Sequence, residues 1–166
     1  LLGAKRFCLW VSDKQLKEAL EIKEIKNRIE KCKIWRKNSG RDAQKYASSA
    51  HKFVYKKYQD GDCLILPMTT SERRVYLPIG YQKSGTVVSN GVFTIYNPEI
   101  YIFGILSSKM HILWMKTFSG RMRNDIRYSV NLIYNTFPFP KINDSKKKII
   151  TDLVFEIIDE REKYSN

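Results

Sequence analysis

Four short runs rich in β-forming residues, with glycine and proline at or near their ends, constrain the fold of this sequence most strongly. They cover residues 62–67, 75–80, 86–89 and 92–96, and they are separated by Gly61, Pro67, Gly80, Gly85 and Asn97-Pro98. Proline removes a donor from a β-ladder and glycine favours turns. Runs of this length therefore predict a small sheet with tight connections. Two further strands are predicted at residues 5–11 and 129–134.

Segments with helical periodicity lie on both sides of these runs. The predicted helices cover residues 14–37, 41–58 and 99–118, and a C-terminal helix opens at Asp144-Ser145. Ser12-Asp13 can cap the first segment, which is compatible either with one long helix or with two helices that meet near residues 21–23. Helices around a small sheet predict an α+β (mixed α/β) fold with flanking helices, and not a doubly wound one.

The charge balance indicates the class of partner. The chain carries 30 Lys plus Arg against 17 Asp plus Glu, a formal net charge of +13, and 43% of its residues are hydrophobic. Such a basic and apolar composition is typical of a folded domain that binds a polyanion, and we expect nucleic acid. A merely soluble basic surface is the alternative. No apolar run approaches the roughly 20 residues that a membrane-spanning helix needs, so we expect no membrane.

Residue types that carry catalysis are few and scattered. His51 and His111 lie far apart in the sequence, and Cys8, Cys32 and Cys63 form no CxxC pair, so neither a triad nor a zinc site is indicated. We predict no catalytic residue and no metal site in this chain. The three cysteines are expected to be buried thiols, and His111 a core or interface histidine.

A polar segment with adjacent arginines lies between two predicted strands, at residues 69–76. Hydroxyl groups and guanidinium groups on a loop suit phosphate contacts, which position a DNA duplex without specifying its sequence. Ser71, Arg73 and Arg74 are the residues of this segment that we assign to the DNA backbone. A solvated hairpin tip is the alternative.

A second polar segment, residues 119–129, alternates charged side chains with others. Alternation places Arg121, Arg123, Asp125 and Arg127 on one side of any extended run. Arginine donates two hydrogen bonds to guanine and aspartate accepts one from cytosine, so this row can recognise G·C pairs. An intramolecular ladder of surface ion pairs, which stabilises little, is the alternative.

Five stretches resemble motifs of the target-recognition domain of MmeI-like (type IIL) restriction–modification enzymes. Residues 71–80 resemble SSERRxYxPIG, residues 101–114 resemble LYxFGILxSxMHxxW, residues 120–129 resemble GRLKSDxRYS, residues 135–140 resemble NxFPxP, and residues 6–10 resemble RxCLW. The motifs occur in the family's order. Met122 stands where Leu is usual, and Arg123 where Lys or Glu is often found, as expected at a position that selects a base.

The resemblance implies a larger bacterial, cytoplasmic enzyme. Such an enzyme has an N-terminal nuclease, a central adenine-N6 methyltransferase that uses S-adenosylmethionine, and this specificity region, which distantly resembles type I specificity subunits. The chain begins with Leu1-Leu2, and we expect a fragment without activity of its own. Residues 1–140 would be the target-recognition domain, and residues 141–166 a helical segment that docks on the methyltransferase domain or spans the DNA.

The resemblance also implies roles for individual residues on double-stranded DNA. The base-reading residues would be Arg123 paired with Asp125, Arg127 at a neighbouring base, Asn124, and a weaker second edge at Asn90 and Gly91. The backbone-binding residues would be Ser71, Arg73, Arg74, Arg121, Tyr128 and Ser129. Two other functions stay open: a basic docking domain, and a fragment of a nucleic-acid-processing enzyme that does not recognise sequence.

Overall fold

The computed structural model of the chain describes residues 7–55, 58–122 and 125–164. The chain divides into two compact units, residues 3–56 and residues 57–166. The first unit is helical where it is described, and the second combines strands with helices. The predicted α+β class is therefore confirmed. No helix in the described part of the chain is long and apolar enough to cross a membrane.

Between residues 7 and 55, the first unit forms three helices and one 3-10 turn. They are α1 (Leu16–Glu21), α2 (Lys23–Lys37), α3 (Arg41–Gln44) and the turn Ala47–Ser49. The extended backbone of Ile22 (φ −83°, ψ 111°) separates α1 from α2, which decides for two helices. The strand predicted at residues 5–11 is wrong for residues 7–11, which belong to no strand. The described part of this unit offers no other strand with which it could pair.

The side chain of Arg36 explains why residues 41–55 of the predicted helix 41–58 do not form one continuous helix. Its guanidinium is buried and donates hydrogen bonds to the carbonyl oxygens of Tyr46 (2.9 Å), Ser49 (3.0 Å) and Lys52 (2.8 Å). Hydrogen bonds to a charged donor are stronger than those between neutral groups. Arg36 therefore stabilises an irregular chain path that local helical propensity does not favour.

The described residues of the second unit form six strands in two antiparallel three-stranded sheets. The strands are β1 (Cys63–Pro67), β2 (Thr69–Ser71), β3 (Gly80–Gln82), β4 (Val92–Tyr96), β5 (Arg121–Met122) and β6 (Asp125–Arg127). The first sheet has the order β3-β1-β4 and the second the order β2-β6-β5. Met68, between β1 and β2, joins them: its N–H donates to Gly91 O (3.2 Å), and its carbonyl oxygen accepts from Tyr128 N (2.9 Å).

The predicted strands match this pattern in part. The runs at 62–67 and 92–96 are confirmed as β1 and β4. The run at 75–80 is wrong except at its last residue, because Leu77 and Ile79 enter the core on a tight turn closed by an Ile79 N to Leu77 O hydrogen bond of 2.9 Å. No strand forms at 86–89, and β2 was not predicted.

Serine side chains set the helical segments that follow. The predicted helix 99–118 is divided into α4 (Tyr101–Leu106) and α5 (Lys109–Phe118), because the Ser108 hydroxyl accepts from His111 N (3.2 Å) and starts a new helix. The predicted strand 129–134 is wrong. A π-helical turn (Val130–Tyr134) forms there, and the Ser129 hydroxyl accepts from Leu132 N at its start (3.4 Å).

The C-terminal helix α6 (Asp144–Lys163) completes the core of the second unit. The side-chain oxygen of Asn143 accepts from Lys146 N (3.0 Å) and caps α6. Val154 of α6 is buried with core residues from β1, β6, α4 and α5: Leu64, Leu66, Ile126, Phe103, Leu106, Ile112 and Met115. Residues 141–166 thus supply part of this core, in addition to any docking role.

Candidate nucleic-acid interface

The second sheet brings the two polar segments of the sequence together. Strand β2, from the first segment, pairs antiparallel with β6, from the second, in the register Thr69↔Arg127, Thr70↔Ile126 and Ser71↔Asp125. Strand β5 pairs with the other edge of β6. Residues far apart in the chain therefore form one small surface, which we call the β2-β6-β5 face.

Side chains of β6 alternate between this face and the core. Asp125 and Arg127 are exposed, whereas Ile126 is buried, as is its partner Thr70 on β2. The predicted placement of Asp125 and Arg127 on one side is confirmed. Arg123 and Asn124, which connect β5 to β6 in the sequence, lie outside the described residues. Contact of any of these four residues with a base stays a prediction.

The arginine-rich loop after β2 is held by hydrogen bonds to its backbone. The Ser71 carbonyl oxygen accepts from Arg74 N (3.2 Å), the Ser71 hydroxyl accepts from Arg73 N (3.3 Å), and Lys116 Nζ donates to Arg74 O (3.0 Å). The side chains of Arg73 and Arg74 are exposed. Ser71 is only partly exposed, and its hydroxyl shapes the loop. Lys116 was missed by the sequence reasoning, because a helical lysine gives no signal of a distant loop contact.

One ion pair links the loop to the hairpin formed by β5 and β6. Arg121 Nη1 lies 3.0 Å from Glu72 Oε2, and both side chains are largely exposed. Arg121 is predicted to bind a DNA phosphate, and Glu72 partly neutralises it in this structure. An exposed pair contributes at most about 1 kcal/mol of stability. A phosphate can therefore compete with Glu72 for this guanidinium at low cost.

The second base-reading edge that the sequence predicts, Asn90 and Gly91, lies close to the end of β6. Asn90 and Gly91 are exposed, and Gly91 O accepts the Met68 N–H that precedes β2. Since Met68 O accepts from Tyr128 N, Gly91 and the end of β6 flank the same residue. The structure thus brings Asn90, Gly91 and Arg127 to one region of the second unit.

The structure corrects the role that the sequence predicts for Tyr128. Its side chain is 2% exposed, and its hydroxyl lies 3.0 Å from His111 Nε2. A phosphate contact by this side chain is therefore wrong in this conformation, because the alternation that exposes Arg127 turns Tyr128 into the core. Burial raises the pKa of Tyr128 above its usual range. Ser129 is partly exposed, and its hydroxyl caps the π-helical turn.

His111 is a core residue, as predicted. It is fully buried in contact with Tyr128 and Phe137, and burial lowers the pKa of its imidazole to about 4.

The other histidine and the cysteines form no metal cluster within the described residues. In the first unit, His51 Nε2 lies 3.0 Å from Oδ1 of the exposed Asp13. The cysteine prediction is wrong for Cys8, which is exposed, and incomplete for Cys32; only Cys63 is buried. Within the described ranges, no group of three or more His, Cys, Asp or Glu residues could hold a metal ion.

Comparisons with known proteins agree with this architecture. Residues 1–141 match the family described as "MmeI, target recognition domain". DNA methyltransferase A of Bacillus subtilis (strain 168) is 36% identical over 161 residues, which are 96% of this chain and 18% of that protein. The structure of the type IIL restriction–modification enzyme MmeI in complex with DNA is similar with a TM-score of 0.84 and 36% identity, covering 96% of this chain and 21% of that one.

The chain thus spans about a fifth of the length of these relatives. The family match extends over both units, from residue 1 to residue 141, and includes every strand of the second unit. The chain therefore belongs to the MmeI target recognition domain family.

Proposed function

We propose that this chain recognises a specific double-stranded DNA sequence, as the specificity module of a restriction–modification adenine-N6 DNA methyltransferase. The β2-β6-β5 face carries the proposal, because it combines an exposed arginine loop with an exposed Asp–Arg row on an adjacent strand. Membership of the target-recognition family supports the same function.

A short antiparallel ribbon is a suitable element for the major groove. The groove of B-DNA is about 12 Å wide and admits a two-stranded β-ribbon, so the β5-β6 hairpin can enter it. We assign base contacts to Arg123 paired with Asp125, to Arg127 and Asn124, and at the second edge to Asn90 and Gly91. Arg73, Arg74 and Arg121 would hold the phosphates, which fix the orientation of the duplex.

The chemistry of methyl transfer would take place outside this chain. We propose that the complete polypeptide acts in the bacterial cytoplasm with S-adenosylmethionine as methyl donor, and that a nuclease accompanies the methyltransferase. This chain has no glycine-rich strand end of the kind that binds that donor, so we assign no residue here to it. What the chain contributes is the choice of the DNA site.

The test uses the complete polypeptide that carries this chain. N6-methyladenine would be mapped across DNA modified by the wild type and by the double variant Arg123→Glu, Asp125→Arg. Exchanging donor and acceptor at a base pair is expected to change the methylated motif at one position. The matched control is Lys45→Glu with Asp42→Arg, an exposed pair in the first unit, which should keep the motif.

The outcomes separate the possible roles. A motif altered at one position near the methylated adenine would support base recognition by this chain and would identify the base. An unchanged motif with full activity would contradict the base-reading assignment. It would leave the segment as a scaffold or a phosphate clamp, and favour the basic docking domain.

A further inference from the structure

An open cleft adjoins the end of β6 in the second unit. Its volume is about 470 Å³, and it is lined by Met68, Phe93 and residues 127–131. Arg127, which we assign to a base, forms part of its wall. Asn131 also lines this cleft. Its side chain can form base-specific hydrogen bonds, and the proposed function assigns it no contact.

Asn131 extends the polar row of β6 beyond the end of the strand. Asp125, Arg127 and Ser129 are at least partly exposed, whereas Ile126 and Tyr128 between them are buried. After Ser129 the chain enters the π-helical turn, which leaves Asn131 exposed and buries Ile133. A strand over 129–134, as the sequence predicts, would place Asn131 and Ile133 on the same side, whereas the helical turn exposes Asn131 and buries Ile133.

The amide of Asn131 is weakly engaged within the protein. Among the described residues, its one side-chain hydrogen bond is accepted by Oδ1 from Asn135 Nδ2 at 3.5 Å, the upper limit for such a bond. The N–H groups of the carboxamide, and most of the acceptor capacity of its oxygen, are therefore available to a ligand. Adenine presents N6 as donor and N7 as acceptor in the major groove, and asparagine is the side chain that pairs with both.

The apolar side chains that line the cleft suit thymine, the partner base of adenine. Met68, Phe93 and Val130 are half-buried apolar side chains that line the same cleft. Thymine carries a methyl group in the major groove, and apolar side chains recognise it. One amide and three apolar side chains in the same cleft therefore match an A·T pair, and the residues that line the cleft include no carboxylate to accept from cytosine.

We propose that Asn131 and this cleft recognise one A·T base pair beside the pair that Arg127 contacts. Asn131 bonds adenine N6 and N7, and the thymine methyl group packs against Met68, Phe93 and Val130. The inference rests on the proposed function, because it requires the β2-β6-β5 face to lie on DNA. It adds a specificity-determining residue and names the base pair.

The test is selection of bound duplexes from a randomised pool by the complete polypeptide. Wild type, Asn131→Ala, Asn131→Asp and the control Asn27→Ala would be compared. Asn27 is an exposed asparagine of α2 in the first unit and does not line this cleft. We expect Asn131→Ala to lose at least fivefold of the preference for A·T at one position while keeping the rest of the motif. Asn131→Asp should shift that position towards cytosine, and Asn27→Ala should keep A·T.

Each outcome is decisive. Retention of the full motif by Asn131→Ala would overturn the inference and leave the proposed function intact. An equal loss of affinity for all sequences, with unchanged thermal unfolding of the variant, would also overturn the inference. Wild-type protein that selects no motif would instead contradict the proposed function itself. A loss confined to one A·T position, with the control unaffected, supports the recognition of that pair by Asn131.

Discussion

The residues of one strand serve opposite purposes in this protein. Along β6 and its continuation, Asp125 and Arg127 are exposed, whereas Ile126 and Tyr128 belong to the core. Successive side chains of a strand point to opposite sides, so the exposure of Arg127 and the burial of Tyr128 have a common cause. The contact of Tyr128 with His111 anchors the strand end that presents Arg127.

Stability should depend on pH through His111. Its pKa is lowered to about 4 in the folded protein, against about 6.5 for an exposed histidine. The unfolded chain binds the proton more readily, so this contribution is complete above pH 6.5 and is lost as the pH falls from 6.5 to 4. Between pH 7.5 and pH 5 we expect the free energy of unfolding to fall by about 2 kcal/mol through this group.

Urea unfolding at the two pH values checks this expectation. His111→Gln removes the titration and should flatten the pH dependence, whatever its effect on stability at pH 7.5. Asp60 and Asp62 have pKa values lowered from 3.8 by hydrogen bonds from Ser84 and Tyr81, respectively, so they titrate below this window. If the variant does not fold, NMR titration of the wild-type imidazole decides, and protonation near pH 6.5 would contradict the expectation.

At the scale of elements, α4 and α6 are packed around a glycine. A Cβ atom on Gly104 would lie 2.6 Å from Ile150 Cγ2 and 3.1 Å from Val154 Cγ2. Both methyl groups belong to β-branched side chains, which have little freedom to move away. The absence of a side chain at residue 104 therefore allows the two helices to approach, and α6 closes the core over β1.

Gly104→Ala should therefore destabilise the protein, although alanine favours helix by about 1 kcal/mol over glycine. Overpacking costs typically about 1–3 kcal/mol, so a net loss is expected in chemical denaturation. Gly120→Ala is the matched control, because no atom lies within 4 Å of its Cβ position, and it should change stability little. Equal or greater stability of Gly104→Ala would mean that α6 moves away without cost.

At the scale of the whole molecule, the proposed function implies that the +13 net charge sets the general affinity for DNA. Binding to phosphates releases counterions, so log K should fall linearly with log salt concentration. Arg73→Ala and Arg74→Ala should each weaken binding to every sequence and reduce the slope by about 1. Arg127→Ala should instead cost about 1–3 kcal/mol on the preferred site and little elsewhere.

Fluorescence anisotropy of the complete polypeptide on preferred and scrambled duplexes, at several salt concentrations, measures both effects. Lys45→Ala is a suitable control, because this exposed lysine is paired with Asp42 in the first unit. Equal losses on both duplexes for Arg127→Ala would move Arg127 to the phosphate-binding class. A salt-independent affinity would contradict the electrostatic basis of the proposed binding.

The sequence by itself determined the features of this protein that depend on residue type and on residues close in the chain. The charge excess, the family motifs, the β1 and β4 runs and the opening of the C-terminal helix follow from composition, spacing and residue type. The alternation along residues 125–127 also follows, because side-chain period is a local property of a strand.

Only the tertiary structure decided which segments meet. The pairing of β2 with β6, the junction at Met68, and the Arg36 bonds to Tyr46, Ser49 and Lys52 join groups that local propensity cannot relate. The same holds for residues 129–134, whose β-forming side chains adopt a π-helical turn behind the Ser129 cap. A strand requires a partner for its backbone hydrogen bonds, whereas a helical turn satisfies them within itself, and only the folded chain determines which of the two is available.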